Sequence, residues 1–301
     1  MKTIKRIEGI ITPIVTPLQE DASLDPKGLK NLIESLIEGG VSGIFIMGTT
    51  GGGPALSPQT QRELIWESVK IIDGRCPLLC GISSASMASS IELGLFAKSA
   101  GVDAVVAAPP CYLPPDEEEL ESFFITLAEK VDMPLYIYNM PAMTKIDMSP
   151  ELTAKLSKVP GIVGYKDSSG NMESFRKVLE LLKDRDDFAI LMGPETKMCE
   201  AVMLGAHGGV NSGSNVAPQL FVDAYNAAKN NDEEEVKRLQ EKIVKLQKIY
   251  TFRNNICCGV ITGIKAALHA KGICGISQTP PYRPADQELV DTISQIIKAY
   301  I

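Results

Sequence analysis

The chain has 301 residues, with 30 Lys plus Arg against 37 Asp plus Glu, a formal charge of −7 and a pI near 5.1. At 45% apolar and 22% charged residues it holds enough side chain to build a core, which excludes disorder as its main state. An acidic chain without a basic block offers phosphates no counter-charge, so nucleic acid is excluded as a partner, and no run of about 18 uncharged apolar residues offers a membrane span.

Short apolar runs rich in β-branched residues alternate with longer amphipathic segments. In chain order the pattern predicts strand Ile10–Pro17 and helix Leu24–Glu38, strand Gly43–Thr50 and helix Pro58–Asp73, strand Pro77–Ser84 and helix Met87–Ala100. Strand Ala104–Pro109 and helix Asp116–Val131 follow, then strand Pro134–Met140 with helix Pro150–Ser157, and strand Gly161–Lys166 with helix Met172–Arg185. The last pairs are strand Phe188–Gly193 with helix Thr196–Gly205 and strand Gly209–Ser214 with helix Pro218–Asn230. Continuous apolar strands joined by helices imply parallel pairing with both sheet faces covered. Eight such units in residues 1–230 predict an α/β fold of the (β/α)8 barrel type. A doubly wound open sheet is the alternative, and the first strand lacks the GxGxxG of its dinucleotide-binding form. Residues 231–301 lose the strand pattern: Asp232–Tyr250, Cys257–Lys271 and Asp286–Tyr300 read as a C-terminal helical extension packed on the barrel. The acidic runs Asp116–Glu119 and Asp232–Glu235 fall at predicted helix starts, where negative charge is favoured.

The N-terminal stretch carries Lys2, Lys5, Arg6 and Glu8 and no apolar core, unlike a secretory signal. Seven cysteines without a CxxC pair are expected to be reduced thiols of a cytoplasmic protein. The two histidines, His207 and His269, have no metal-ligand spacing, so no metal site is expected, and no GxSxG elbow marks a serine hydrolase.

In such a barrel the chemistry belongs at the C-terminal ends of the strands. Lys166 ends the apolar run Ile162-Val163-Gly164-Tyr165. A lysine there either snorkels to a polar rim, pairs with an acid such as Asp167, or keeps a desolvated amine able to condense with a ketone as a Schiff base. The turn Gly48-Thr49-Thr50-Gly51-Gly52-Gly53 presents successive backbone N–H groups, a nest suited to a carboxylate or phosphate. Tyr138 ends its strand beside Asn139, where a phenol could pass a proton or simply lie half-buried.

Taken in order, these strand ends resemble the dihydrodipicolinate synthase and N-acetylneuraminate lyase family. The likeness rests on Gly9-Ile10-Ile11-Thr12-Pro13, Gly48-Thr49-Thr50-Gly51, Tyr138-Asn139-x-Pro141, Gly164-Tyr165-Lys166-Asp167 and Leu204-Gly205-Ala206-His207-Gly208-Gly209. The resemblance implies a (β/α)8 TIM barrel with a C-terminal helical extension, usually a homotetramer, and a class I lyase chemistry on pyruvate and an aldehyde. It implies that Lys166 forms the imine with no other cofactor. Thr49, Thr50 and Gly48 hold the keto-acid carboxylate, and Tyr138 moves the proton. Tyr112 matches a tyrosine that serves the neighbouring subunit's site. Val210 matches a residue whose carbonyl touches the keto acid, and Gly193 lies near the aldehyde portion.

Two departures bear on the substrate. Dihydrodipicolinate synthases usually place an Arg after Tyr-Asn-x-Pro; here Met143 stands there, and a thioether makes no bidentate carboxylate contact, with Lys145 a point-charge substitute. Gly52 stands where most members carry Glu. The segment Ala142-Met143-Thr144 and the run Lys166-Asp167-Ser168 look closer to aldolases of 2-keto-3-deoxy sugar acids. On that reading Thr144, Ser168, Glu195, Ser212 and Ser214 are expected to hydrogen-bond a polyhydroxylated aldehyde. The alternatives are dihydrodipicolinate synthase, N-acetylneuraminate lyase, a keto-acid dehydratase or deaminase using the same imine, or a non-catalytic sugar-acid-binding barrel.

Overall fold

Eight apolar runs become eight parallel strands: β1 (Gly9–Pro13), β2 (Gly43–Ile46), β3 (Leu78–Gly81), β4 (Ala104–Ala107), β5 (Leu135–Asn139), β6 (Ile162–Asp167), β7 (Ala189–Met192) and β8 (Gly208–Val210). The computed structural model describes residues 6–253 and 256–300, with 256 and 257 as backbone only; Lys2, Lys5 and the Cys257 side chain lie outside the described residues. Each strand pairs with the next in sequence, and β8 returns to β1 with Gly9 opposite Gly208 and Ile11 opposite Val210, closing the barrel.

The connecting helices are α1 (Pro26–Glu38), α2 (Pro58–Ile72), α3 (Met87–Ala100), α4 (Glu117–Val131), the single turn α5 (Pro141–Thr144), α6 (Pro150–Leu156), α7 (Met172–Leu181), α8 (Glu195–Met203) and α9 (Pro218–Lys229). The extension adds α10 (Glu233–Leu246), α11 (Ile256–Ala270) and α12 (Gln287–Ile297). Helix starts follow local chemistry: the side chains of Ser57, Ser86, Asp116, Ser149 and Asp286 each accept the backbone N–H three residues on. Asp116 and Glu119 form a reciprocal capping box, and both acidic runs open helices.

Adjacent residues on each strand divide between two apolar layers, as the two-residue period of a strand requires. Ile11, Phe45, Val106 and Tyr138 fill the barrel interior, while Ile10, Ile44, Val105 and Ile137 pack outward under the helices. The interior takes large rings where the facing residue is small: a Cβ on Gly164 would stand 2.3 Å from the Tyr136 ring.

Seven of the eight strands are shorter at their C-terminal ends than the apolar runs predict, and β6 runs one residue longer, to Asp167. The second run continues through Gly48-Thr49-Thr50, yet β2 stops at Ile46, because Met47 takes a left-handed φ of +56° and leaves the ladder. The α7 segment likewise ends at Leu181 rather than Arg185, with the buried Leu182 as its C-cap. Among the described residues no helix is long and apolar enough to cross a membrane.

Candidate active site

Strand β6 alternates Gly164 and Lys166 inward with Tyr165 and Asp167 outward. Lys166 is therefore 5% exposed inside the barrel mouth, and Asp167, its sequence neighbour, is buried on the other face. The scaffold salt bridge between the two does not form. The Asp167 carboxylate instead accepts Asn139 Nδ2 at 2.9 Å, the Tyr165 hydroxyl at 3.0 Å, and the Ser169 N–H and hydroxyl at 3.2 and 2.9 Å. Burial pushes the Asp167 carboxyl above its usual range, opposed by those donors. Lys166 has no carboxylate within 4.0 Å among the described residues. Its Nζ lies 3.9 Å from the Tyr138 ring centroid and 5.1 Å from that of Phe45.

Tyr138 stands beside Lys166 because β5 and β6 pair in that register, Tyr138 opposite Lys166 and Asn139 opposite Asp167. The Asn of the Tyr-Asn-x-Pro motif ties three segments together. Asn139 Nδ2 donates to Asp147 at 2.8 Å and to Asp167 at 2.9 Å, and its Oδ1 accepts the Met148 N–H at 3.1 Å. The motif thus fixes the ends of β5 and β6, and with them the two inward side chains.

The glycine-rich turn after β2 closes tightly on itself. Gly52 donates to Thr49 O and Gly53 to Gly48 O, while Thr16 Oγ1 donates to Gly51 O at 2.7 Å. A Cβ on Gly53 would stand 2.2 Å from Met47 O, so the turn admits no side chain there. Gly52 is left-handed at φ +63° with open space where a side chain would project. Among the described residues the Thr49 and Thr50 N–H groups have no protein acceptor, as a carboxylate-holding nest requires. The Thr50 hydroxyl is bonded to Ser212 Oγ at 2.7 Å.

A cavity of about 710 Å³ opens above these strand ends. Gly48, Thr49, Tyr138, Met143 and Thr144 line it, together with Phe45. Lys166 does not line it directly; its amine sits beneath the Tyr138 and Phe45 rings that form part of the wall. The roof comes from the extension: Cys258, Ile261 and Lys265 of α11, then Gln278, Thr279 and Tyr282. Sequence reasoning missed all six, having read the extension as an appendage. The available signal was Lys265, a lone lysine in an apolar segment, the same anomaly that singles out Lys166. Lys265 is 3% exposed, and burial pushes its ammonium down to about 8.

Several expected ligands lie elsewhere. Glu195 is buried away from the cavity, where it accepts the Gly213 N–H at 2.6 Å, the Tyr250 hydroxyl at 3.0 Å and Gln247 Nε2 at 3.1 Å. Ser214 is buried between Asn211 O at 2.5 Å and Thr12 Oγ1 at 2.8 Å, and Ser212 is taken by Thr50. The Thr144 hydroxyl donates within its own turn, to Met140 O and Ile146 O, each at 3.1 Å. The Lys145 ammonium caps the Ala142 carbonyl at 2.9 Å on the surface and does not replace an Arg at Met143. Ser168 donates its N–H to Asn139 O, Gly193 donates to Asp167 O, and Val210 packs in the barrel interior; none of the three lines the cavity. Tyr112 is 92% exposed and does not line this chain's own cavity. Cys76, Cys80, Cys111, Cys199 and Cys274 are free thiols, and among the described residues no cluster of three or more His, Cys, Asp or Glu could hold a metal ion.

The closed barrel and its helical extension recur in known proteins. The sequence profile of the Dihydrodipicolinate synthetase family matches residues 6–300. A 4-hydroxy-tetrahydrodipicolinate synthase from Leptothrix cholodnii is 34% identical over 284 residues, covering 94% of each chain. The structure of dihydrodipicolinate synthase from Bacteroides thetaiotaomicron superposes with a TM-score of 0.94 at 42% identity, covering 98% of this chain and 99% of that one. The chloride-inhibited dihydrodipicolinate synthase from Acinetobacter baumannii, complexed with pyruvate, superposes at 0.90 with 31% identity, covering 98% and 100%. This chain is a (β/α)8-barrel lyase belonging to the dihydrodipicolinate synthetase family.

Proposed function

We propose that the protein is a class I lyase that joins pyruvate to an aldehyde, or releases the two from a 2-keto acid, through an imine on Lys166. The observation that carries this reading is the inward, acid-free amine of Lys166, packed against Tyr138 below a cavity walled by the Thr49 turn.

The deprotonated Lys166 amine attacks the ketone carbon, and the resulting carbinolamine hydroxyl takes a proton from solvent and leaves as water, giving a protonated imine. That cation is an electron sink, so the methyl carbon gives up a proton to solvent water and a neutral enamine forms. The enamine carbon bonds to the aldehyde carbon, and the aldehyde oxygen takes a proton from Tyr138. Water then adds to the protonated imine, the proton this releases restores Tyr138, and the amine is freed. In the cleaving direction Tyr138 accepts the hydroxyl proton as the bond breaks. The Thr49 and Thr50 N–H groups orient the keto acid by its carboxylate throughout, which lowers the entropic cost of bringing the carbons together.

Borohydride with pyruvate should fix one reduced pyruvyl group on Lys166, located by peptide mass spectrometry. Lys166→Ala should lose both the adduct and turnover while its circular dichroism stays unchanged. An unlabelled Lys166 in native protein would refute the imine.

Two readings differ in the aldehyde. Met143, 44% exposed at the cavity mouth in place of an Arg, favours a 2-keto-3-deoxy sugar acid. The names of the curated relatives favour the synthase reaction of 4-hydroxy-tetrahydrodipicolinate. Of the side chains expected to hold a polyol, only Thr144 reaches the cavity wall, and its hydroxyl is already engaged. The working assembly in this reading is a homotetramer in which Tyr112 enters the neighbouring copy's site. Its support is a bulky, 92% exposed side chain held at a left-handed φ of +77°.

A further inference from the structure

The cavity wall is mostly apolar, and its charged side chains among the described residues are Arg62, Glu92 and Lys265. Arg62 and Glu92 neutralise each other at 2.6 Å, and the Arg62 guanidinium also stacks 4.8 Å over Phe96. Lys265 differs from both. It is 3% exposed, and no carboxylate lies within 4.0 Å of it among the described residues. Of its three N–H donors, one is accounted for, by the Ser277 carbonyl of the roof segment. Cys274 faces it as a thiol that burial pushes up to about 11, so it brings no negative charge. The nearby Asp25 is committed to capping α1 through the Gly28 N–H at 2.9 Å. A buried cation without a counter-ion is costly, and burial indeed pushes its pKa down to about 8. An anion entering the cavity would remove that cost.

We propose that Lys265 is the anion-recognising residue of this cavity, and that the aldehyde handled there carries its own anionic group at the end away from the reacting carbonyl. The inference deepens the imine reading, on which it rests for the reaction though not for the binding. It assigns to the C-terminal extension the charge that Met143 does not supply after Tyr-Asn-x-Pro. Lys265 recognises rather than reacts: it has no place in the bond-making steps, and it reads the far end of the second substrate.

The test separates recognition from mere tethering of the roof. Lys265→Gln keeps a donor for the Ser277 carbonyl and removes the charge, and Lys265→Arg keeps the charge. On native enzyme the probes are succinic semialdehyde and glyceraldehyde 3-phosphate against neutral butanal, each with pyruvate. The ratio of kcat/KM for the anionic over the neutral aldehyde should fall roughly 10- to 100-fold in Lys265→Gln and largely recover in Lys265→Arg. The two anionic probes tell carboxylate from phosphate. A ratio unchanged in Lys265→Gln, with both aldehydes slowed alike, overturns the proposal and leaves a tether. Binding gives a second readout that needs no turnover: glutarate should raise the melting temperature of the borohydride-reduced pyruvyl-enzyme where neutral glutaramide does not, and Lys265→Gln should abolish the difference. A difference that survives the substitution, or is absent from native protein, overturns it too. Failure of pyruvate trapping on Lys166 defeats the imine instead, and the glutarate comparison on unmodified enzyme still decides Lys265.

Discussion

Lys166 and Asp167 adjoin in sequence and occupy opposite faces of β6, one in the barrel mouth and the other locked to Asn139, Tyr165 and Ser169. That split keeps the amine beside a carboxylate along the chain yet out of its reach. Tyr138 occupies the matching place on β5, with its ring 3.9 Å from the amine. Tyr138→Phe keeps the ring and removes the hydroxyl. We expect kcat to fall by about 10²- to 10⁴-fold while borohydride still traps pyruvate on Lys166. Loss of trapping would assign the ring, not the hydroxyl, as the group that matters. Lys166, Tyr138 and Thr49 were legible in the sequence because each interrupts or ends an apolar run at a strand terminus. The hydroxyls of Thr144, Ser212 and Ser214 were not, since a side chain's choice between a neighbouring carbonyl and a substrate is made by tertiary contacts.

At the scale of elements, the alternation of apolar runs and amphipathic stretches located every barrel strand, and the acidic runs at Asp116 and Asp232 marked two of the helix starts. The strand ends were overrun for a physical reason: residues such as Met47 leave the ladder to build the site while remaining apolar and buried. Glu195 shows how elements are joined behind the site. Its carboxylate links α8 to the Gly213 N–H, Gln247 and Tyr250, and the neighbouring Ser212 bonds Thr50. Burial raises the Glu195 carboxyl above its ordinary value of 4.5. A raised carboxyl contributes stability that is fully present below the unfolded value and is lost as pH rises through the folded one. Melting temperatures of native protein and Glu195→Gln, taken from pH 4 to pH 8, should diverge as pH increases, with native protein losing ground. A constant gap across that range would mean that Glu195 titrates as it does in the unfolded chain.

For the whole molecule, the barrel was readable from eight repeated units, whereas the cavity roof was not. Ile261, Lys265 and Tyr282 reach the site from the far end of the chain, and no local pattern announces such a contact. The exposed Tyr112 carries a prediction at this scale. If a second copy receives it, specific activity should fall on dilution in step with the dissociation of the assembly, followed by mass photometry. Tyr112→Ala should lower kcat without reducing the melting temperature of the separated subunit, because the side chain it removes is exposed there and Ala keeps the same left-handed backbone. Activity independent of concentration across the dissociation range would confine the chemistry to single subunits.

The closure of β8 onto β1 has a consequence for synthesis. Gly9 finds its partner only when Gly208 has been made, and the roof waits longer still. A nascent chain therefore leaves the ribosome with an open sheet whose first edge is unpaired for some two hundred residues of elongation, a state inviting wrong partners. Stalled or truncated products should consequently depend on chaperone holding, while the closed β1–β8 barrel has no free edge left to protect.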